Sequence, residues 1–177
     1  MLFSGKYKRI IILGGSGSGK STLATKISVY TGYPIYHLDN LLLNSNWEMK
    51  DKNDWPEICK QFLLKDVGIV DGNYSSVLPT RIDWADLIIF IDISTRVQFY
   101  RIFKRIIRIK LGLDKRYGYP EKSKEKIRIK FLLWVFKWNK NRRDNILSML
   151  EKFTKDKKII ITNRPQELNF RELFNEE

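Results

Sequence analysis

Five short apolar runs recur along the chain and predict five β-strands. Each run is about five or six residues long, is rich in β-branched residues and is bounded by Gly, Asp or Pro. The runs are RIIILG (9–14), PIYHLD (34–39), GIVDG (68–72), LIIFID (87–92) and KKIIITN (157–163). Runs that are apolar throughout are typical of parallel strands buried on both faces.

Segments of helical character lie between and after these strands. They are KSTLATKISVYTG (20–32), DKNDWPEICKQFLLKD (51–66), STRVQFYRIFKRIIRIKLG (94–112), the long stretch 123–153, and PQELNFRELFNEE (165–177), which begins with Pro165 in a first helical turn. Strands that alternate with helices predict an α/β fold in which helices cover both faces of a parallel sheet. No repeat, low-complexity tract or linker divides the chain, so we expect a single domain over residues 1–177.

An irregular stretch interrupts the pattern between two basic helices. It is GLDKRYGYPEKS (112–123), which contains two Gly, a Pro and charges of both signs. Together with its flanking helices it predicts a lid over about residues 108–143 that closes over phosphates and excludes water. The apolar run FLLWVFKW (131–138) must pack against another surface. We favour an intrachain contact over a dimer contact, which leaves a monomer or a homodimer open.

The composition is that of a globular protein without a membrane span. Of the 177 residues, 43% are hydrophobic and 30% are charged, and no unbroken apolar run approaches 20 residues. The first ten residues, MLFSGKYKRI, lack the features of a signal peptide. We therefore expect a cytoplasmic protein. The single cysteine, Cys59, cannot form an internal disulfide and is interpreted as a small core residue.

The positive charge is concentrated in one region. The whole chain has a net charge of +13, whereas residues 96–143 alone contain 17 Lys or Arg and three Asp or Glu, a net charge of +14. Such a region could contact nucleic acid, a membrane surface, or the phosphates of a small ligand.

A phosphate-binding loop follows the first strand. Gly14, Gly19, Lys20 and Ser21 match G-x-x-x-x-G-K-[ST], with a strand before the motif and a helix after it. In this motif backbone N–H groups surround the phosphates, the lysine reaches the β and γ phosphates, and the hydroxyl reaches Mg²⁺. The sequence thus predicts ATP and Mg²⁺ as cofactors, bound by Gly15, Ser16, Gly17, Ser18, Gly19, Lys20, Ser21 and Thr22.

Other features favour a small phosphotransferase among the nucleotide-binding classes. The chain is too short for motor subdomains, and the guanine-reading N-K-x-D pattern is absent because ITNRPQ follows the last strand.

Acidic residues follow three of the predicted strands, where ligands of open α/β sheets bind. Asp71 is the candidate to hold Mg²⁺ together with Ser21, although a turn aspartate is the alternative. Asp39 is the candidate to orient or deprotonate an acceptor. Asp92 ends a strand in the same way, whereas Asp86 precedes that strand and is discounted. His37 would share a sheet face with Asp39 if the strand is regular, and we interpret it as a buried, hydrogen-bonded histidine.

Arginines are suited to phosphoryl transfer because a planar guanidinium pairs with two phosphate oxygens. Arg101, Arg105 and Arg108 lie on one face of a predicted helix, and Arg142 and Arg143 lie on the helix that returns from the lid. The predicted catalytic set is Lys20, Asp39, Arg101, Arg105, Arg142 and Arg143.

Several stretches together resemble a known family. RIIILGGSGSGKSTLA, YPIYHLDNL, IVDGNY, ADLIIFID, YRIFKR and FLLWVFKW are similar to the bacterial DNA topology modulation, or flagellar regulatory, proteins, which are adenylate-kinase-like P-loop proteins. The resemblance covers nearly the whole chain. It implies a three-layer P-loop kinase fold with a five-stranded parallel sheet, a helical basic lid, ATP and Mg²⁺.

The resemblance also implies site residues. DGNY (71–74) is similar to the D-G-F-P-R stretch of adenylate kinases, with Asn73 and Tyr74 in place of Phe and Pro. This likeness implies acceptor contacts at Asn73 and Arg81. RRDN (142–145) is similar to the R-x-D-D of their lids.

Three functions remain open on the sequence. The first is phosphoryl transfer from ATP to a nucleotide or nucleoside-like acceptor. The second is an ATP-binding regulator that interacts with DNA, which the family name and the charge of residues 96–143 favour, although no DNA-reading motif is present. Trp134, Trp138, Tyr117 and Tyr119 could stack on bases, but both tryptophans lie in apolar runs. The third is a small-metabolite kinase of the shikimate or gluconate type.

Overall fold

A five-stranded parallel sheet forms the centre of the protein. The computed structural model describes residues 6–44, 48–113, 143–153 and 157–175. The strands lie in the order β2-β3-β1-β4-β5, and every neighbouring pair is parallel. Their bounds are β1 Arg9–Gly14, β2 Ile35–His37, β3 Gly68–Asp71, β4 Leu87–Ile91 and β5 Lys158–Thr162. All five predicted strands are therefore confirmed.

Helices connect and flank the strands. The α-helices are α1 Lys20–Thr31, α2 Leu38–Leu42, α3 Trp55–Leu63, α4 Leu78–Trp84, α5 Thr95–Lys110, α6 Arg143–Phe153 and α7 Phe170–Phe174. Single 3₁₀ turns cover Lys52–Asp54, Ser75–Val77 and Pro165–Glu167, so Pro165 begins a helical turn as predicted. The short helices α2 and α4 had no counterpart in the sequence prediction.

Alternate residues of the strands build a core on each face of the sheet. Ile11 and Leu13 of β1 face one core, which contains buried residues of α2, α3, α4 and α6. Ile10 and Ile12 face the other, which contains buried residues of α1 and α7. This is the predicted three-layer α/β fold. Cys59 is a buried free cysteine in the first core, as expected.

The strand order places a crevice at the carboxyl end of β1. β1 pairs with β3 on one side and β4 on the other, so that Ile12 is in register with Asp71 and Gly14 with Ile91. In open α/β sheets such a reversal of strand order is where ligands bind. Asp86 lies at the opposite, amino end of the strands, where its carboxylate accepts hydrogen bonds from the N–H groups of Lys8 and Arg9. It is therefore far from the carboxyl end of β1.

The predicted strand 34–39 is too long, and the expectation built on it is wrong. β2 ends at His37, and Asp39 lies in the first turn of α2. The chain turns helical here because Leu38 and Leu42, four residues apart, are both buried in the core. Asp39 and His37 therefore do not share a face of a regular strand.

Two predicted features lie outside the described residues. They are most of the lid over 108–143 and the apolar run 131–138. Among the parts of the chain that are described, none of the helices combines the length and hydrophobicity needed to cross a membrane.

Candidate active site

The loop between β1 and α1 is built to bind an anion. The N-cap residue of α1 is Gly19, which has no side chain to cap the helix, and the first turn contains no acidic residue. The first N–H groups of a helix have no partner within the helix and point toward the residues before it, as at phosphate sites. The hydroxyl of Ser18 is also buried and meets no hydrogen-bond partner among the described residues. These polar groups together fit the phosphates of a nucleotide.

Helix α5 packs directly against this loop. Nη1 of Arg101 donates a hydrogen bond of 3.0 Å to the carbonyl of Ser18. A Cβ atom at Gly17 would lie only 2.9 Å from both the Gln98 carbonyl and Cγ1 of Ile102. The contact thus requires glycine in the loop, and it places an arginine of the predicted catalytic set beside the phosphate site.

Lys20 lies near charges of both signs. Its Nζ donates to the carbonyl of Gly15 at 3.1 Å. Burial lowers the pKa of Lys20, the charges of Asp71 and Asp39 oppose that shift, and the charge of Arg105 adds to it. The structure therefore brings together Lys20, Asp39, Asp71 and Arg105, four of the residues that the sequence indicated.

Asp71 is a buried carboxylate with one oxygen engaged. It is 4% exposed, and its Oδ1 accepts a hydrogen bond of 2.9 Å from Nδ1 of His37. Its Oδ2 is buried and has no partner at hydrogen-bond geometry within the described residues. Burial acts to raise the pKa of Asp71, but the hydrogen bond and charge of His37 and the charge of Lys20 outweigh it, so the pKa is lowered.

These residues fit a magnesium ion. The hydroxyl of Ser21 lies near enough to Asp71 to lower its pKa further, so a hydroxyl and a carboxylate lie close to each other here. No group of three or more His, Cys, Asp or Glu that could hold a metal occurs in the described ranges. The hydroxyl of Ser21 and the carboxylate of Asp71 are oxygen ligands of the kind that Mg²⁺ takes, with waters and substrate phosphates completing its shell.

His37 is hydrogen-bonded and partly buried, as the sequence suggested, but its partner was not foreseen. The hydrogen bond and the charge of Asp71 raise the pKa of His37 despite its burial. The contact forms because β2 and β3 are adjacent and place His37 in register with Asp71. The strand-end position of both residues was a signal, but the sequence does not give the order of the strands.

Asp39 is oriented by an aromatic pair that sequence reasoning missed. Its Oδ1 accepts a hydrogen bond of 2.8 Å from the hydroxyl of Tyr74. The ring of Tyr74 contacts that of Trp55 at 5.7 Å and an interplanar angle of 90°. Trp55 is buried at the start of α3, so the core fixes Tyr74 and, through it, the Asp39 carboxylate.

Asn73 and Arg81 hold backbone segments of the site. Oδ1 of Asn73 accepts from the N–H of Gly14 at 3.1 Å, and its Nδ2 donates to the carbonyl of Gly14 at 2.5 Å. The guanidinium of Arg81 donates to the carbonyls of Gly72, Tyr74 and Val77.

Arg81 is therefore not placed to contact an acceptor. The side chain has no exposed surface, and burial lowers its pKa to about 10. The expectation of an acceptor contact by Arg81 is contradicted by this position.

Arg143 lies at the carboxyl end of β4. Its guanidinium donates to both oxygens of Asp92, at 2.9 Å from Nε to Oδ1 and 2.7 Å from Nη2 to Oδ2. The hydrogen bonds and charge of Asp92 raise the pKa of Arg143. The described geometry therefore pairs Arg143 with a carboxylate rather than with the phosphate loop. Arg142 lies outside the described residues.

Solved structures with a similar fold include several kinases. A sugar kinase from Janibacter sp. is 17% identical with a TM-score of 0.51, and the match covers 94% of this chain and 92% of that chain. A deoxyadenosine kinase from M. mycoides with bound dATP is 18% identical with a TM-score of 0.50, covering 92% of each chain. The YorR protein of Bacillus subtilis, in complex with phosphorylated GDP, is 15% identical with a TM-score of 0.50, covering 93% of this chain and 90% of that chain.

These likenesses show the fold. The chain has the α/β fold of P-loop kinases. No protein-family model and no curated protein sequence matches it. The resemblance to DNA topology modulation proteins stays a prediction.

Proposed function

We propose that this protein is an ATP- and magnesium-dependent kinase that transfers the γ-phosphoryl group to a nucleotide or nucleoside-like acceptor. One observation carries the proposal. The amino end of α1, the amine of Lys20 and the buried carboxylate of Asp71 lie at the carboxyl ends of the neighbouring strands β1 and β3, where the charge of Asp71 acts on Lys20. A phosphate loop, a cation and a metal-binding oxygen are the parts that phosphoryl transfer needs, since its catalysis is mostly positioning and charge stabilisation.

Each residue has a role in this proposal. The loop of residues 15–19 and the N–H groups of Lys20, Ser21 and Thr22 bind the phosphates. Lys20 neutralises charge on the β and γ phosphates, while Arg101 and Arg105 stabilise the transferring group. Ser21 and Asp71 would hold Mg²⁺, which supplies charge neutralisation to the phosphate oxygens when bound.

A small-metabolite kinase is the second candidate. One of the similar structures is a sugar kinase, and the carboxylate of Asp39 near the phosphate site is suited to an acceptor hydroxyl. The two candidates differ only in the acceptor.

Product formation tests the kinase activity. The protein is incubated with ATP, Mg²⁺ and a panel of nucleoside monophosphates, nucleosides and hydroxyl metabolites, and the phosphorylated product is measured. Lys20→Ala should lower the rate by about 10²–10³-fold, because it removes a donor to the developing charge. Lys26→Ala, which changes an exposed lysine of the same helix, should leave it unchanged. A native protein no faster than Lys20→Ala with every acceptor would refute the proposal.

A further inference from the structure

A side chain continues the hydrogen bonding between β1 and β3 beyond the end of the two strands. Ile12 is in register with Asp71, and its carbonyl accepts from the N–H of Gly72 at 3.4 Å. Beyond that point the side chain of Asn73 replaces the backbone. Its Oδ1 accepts from the N–H of Gly14 at 3.1 Å, and its Nδ2 donates to the carbonyl of Gly14. The carboxamide, which offers both an acceptor and a donor, thus binds both backbone groups of the last residue of β1.

Asn73 is itself held in place by Arg81. The guanidinium donates to the carbonyls of Gly72 and Tyr74, the residues on either side of Asn73, at 2.8 and 2.9 Å. Arg81 has no exposed surface, so the surrounding core restricts its movement. The backbone of Asn73 therefore has a fixed position, from which the side chain reaches Gly14.

The contact fixes the orientation of one peptide group in the phosphate loop. The carbonyl of Gly14 and the N–H of Gly15 belong to the same planar trans peptide, in which they point in opposite directions. A peptide between two glycines can turn over more easily than others, because glycine adopts backbone angles that other residues avoid. Gly14 has such an angle, with φ +146°. The hydrogen bond from Asn73 holds this peptide in one orientation.

Lys20 depends on the same part of the loop. The carbonyl of Gly15 accepts from Nζ of Lys20 at 3.1 Å and from the N–H of Ser18 at 3.1 Å. Because the chain continues directly from the fixed peptide into Gly15, turning that peptide over would displace this carbonyl and both of its donors. The effect of Asn73 therefore extends through the loop to the amine of Lys20.

We infer that Asn73 is a positioning residue for the nucleotide: by holding the peptide between Gly14 and Gly15, it keeps the loop in the form that binds the phosphates of ATP. This inference rests on the part of the proposed function in which the loop binds phosphates. It assigns Asn73 to the nucleotide, whereas the likeness to adenylate kinases implied a contact with the acceptor.

Two variants of Asn73 test the contact, with nucleotide binding as the readout. Asn73→Ala removes both hydrogen bonds. Asn73→Asp keeps an acceptor for the N–H of Gly14 but places a negative charge, instead of a donor, against the carbonyl of Gly14. The affinity for ATP, with and without Mg²⁺, is measured by calorimetry. Both variants should bind ATP about 10-fold more weakly than the native protein, because losing one or two hydrogen bonds lowers the population of the binding form of the loop.

Asn169→Ala is the matched control. The side chain of Asn169 also binds the backbone, since it accepts from the N–H of Arg171 at the start of α7. Asn169 lines a cavity with Tyr7 and Lys158, which lie at the amino ends of β1 and β5, so it is at the opposite end of the sheet from Gly14. Loss of this helix cap should lower thermal stability and leave the affinity for ATP as in the native protein.

Hydrogen exchange in the nucleotide-free protein gives a second readout. The N–H of Gly14 should exchange about 10-fold faster in Asn73→Ala than in the native protein, because its acceptor is gone. In Asn73→Asp, which keeps the acceptor, it should stay protected although ATP binding is weakened. This difference separates the bond to the Gly14 carbonyl from the bond to its N–H.

The outcomes separate this inference from the proposed function. An affinity for ATP that is native in Asn73→Ala, or that falls equally in Asn169→Ala, would overturn the inference and leave the kinase proposal. So would Asn73 variants that bind ATP as the native protein does and only transfer the phosphoryl group more slowly. A native protein that binds ATP but phosphorylates no acceptor would refute the kinase alone, and one that binds no ATP would overturn both.

Discussion

The ionisable side chains buried around the site are stabilised in different ways. Asp71 receives a hydrogen bond from His37 and lies near the charge of Lys20. Within the described residues, Arg81 donates hydrogen bonds to three backbone carbonyls rather than to a carboxylate. Burying a charge is costly unless hydrogen bonds compensate for it. Arg81 therefore holds the backbone around the crevice in place, while Asp71 contributes a negative charge there.

The His37–Asp71 pair should make stability depend on pH. The pKa of His37 is raised above its ordinary 6.5, so the stabilisation that its charge provides is complete below about 6.5 and is lost as pH rises through the raised value. The pKa of Asp71 is lowered, so its contribution is lost only as pH falls from its ordinary 3.8 through the lowered value. The pair therefore contributes most between those limits.

We predict the effect of His37→Asn on the free energy of unfolding, measured without nucleotide or metal. The difference between native and variant should be larger at about pH 5.5 than at about pH 8.5, by about 1 kcal/mol. The chain has one histidine, so an NMR titration reports this imidazole alone. A difference that does not change with pH would contradict the prediction.

For single residues, the sequence predicts which side chains belong to the site better than it predicts which atoms those side chains contact. Lys20 and Ser21 follow from a motif whose spacing is local, and Asp71 follows from its place after a strand. The partners of His37 and Arg81 depend on strand order and on the path of the chain after β3. Neither is encoded in local spacing, so both were missed.

At the scale of elements, helix α5 packs directly against the phosphate loop. Gly17 has φ +77°, and a Cβ there would collide with the backbone of Gln98 and with Ile102. Ile102 is buried with Ile106 in a small cluster of its own. A shift of α5 would therefore displace the loop and Arg101 together.

We predict that comparing the unfolding free energies of Gly17→Ala and Gly112→Ala separates the cost of lost loop packing from the cost of backbone strain. Gly112 has a similar φ of +69°, but a Cβ there would meet nothing within 4 Å among the described residues. Gly112→Ala should therefore cost only the left-handed strain, about 1–2 kcal/mol of unfolding free energy. Gly17→Ala should cost a further ~1–3 kcal/mol from overpacking, and should weaken ATP binding. Equal losses in the two variants, with equal ATP affinity, would show that the contact with α5 is unimportant.

The elements themselves were predictable where one local signal dominates. Apolar β-branched runs identified all five strands. The central strands β1, β3 and β4 are buried, as expected of parallel strands, whereas the edge strands β2 and β5 are only partly buried. The boundary of β2 was not predictable, since PIYHLD suits a strand as well as it suits a strand followed by a helix. Burial of Leu38 and Leu42, a tertiary effect, decides between them.

For the whole molecule, the distribution of charge raises the question of nucleic acid binding. Residues 96–143 carry a net charge of +14. In the described part of that range, Arg101 contacts the phosphate loop and Arg143 pairs with Asp92. Some of the arginines are thus engaged within the protein, while most of the range lies outside the described residues. Charge of this kind attracts any polyanion without reading its sequence.

We predict that duplex DNA binds this protein through charge alone. Counterion release makes the logarithm of the affinity fall linearly with the logarithm of the salt concentration, with a slope of about −0.9 for each phosphate neutralised. Fluorescence anisotropy should give the same affinity and slope for duplexes of unrelated sequence. Lys20→Ala should match the native protein, because that amine donates to the carbonyl of Gly15 within the loop between β1 and α1. An affinity that depends on sequence at moderate salt, or that changes with ATP, would instead favour the DNA-interacting regulator over the kinase.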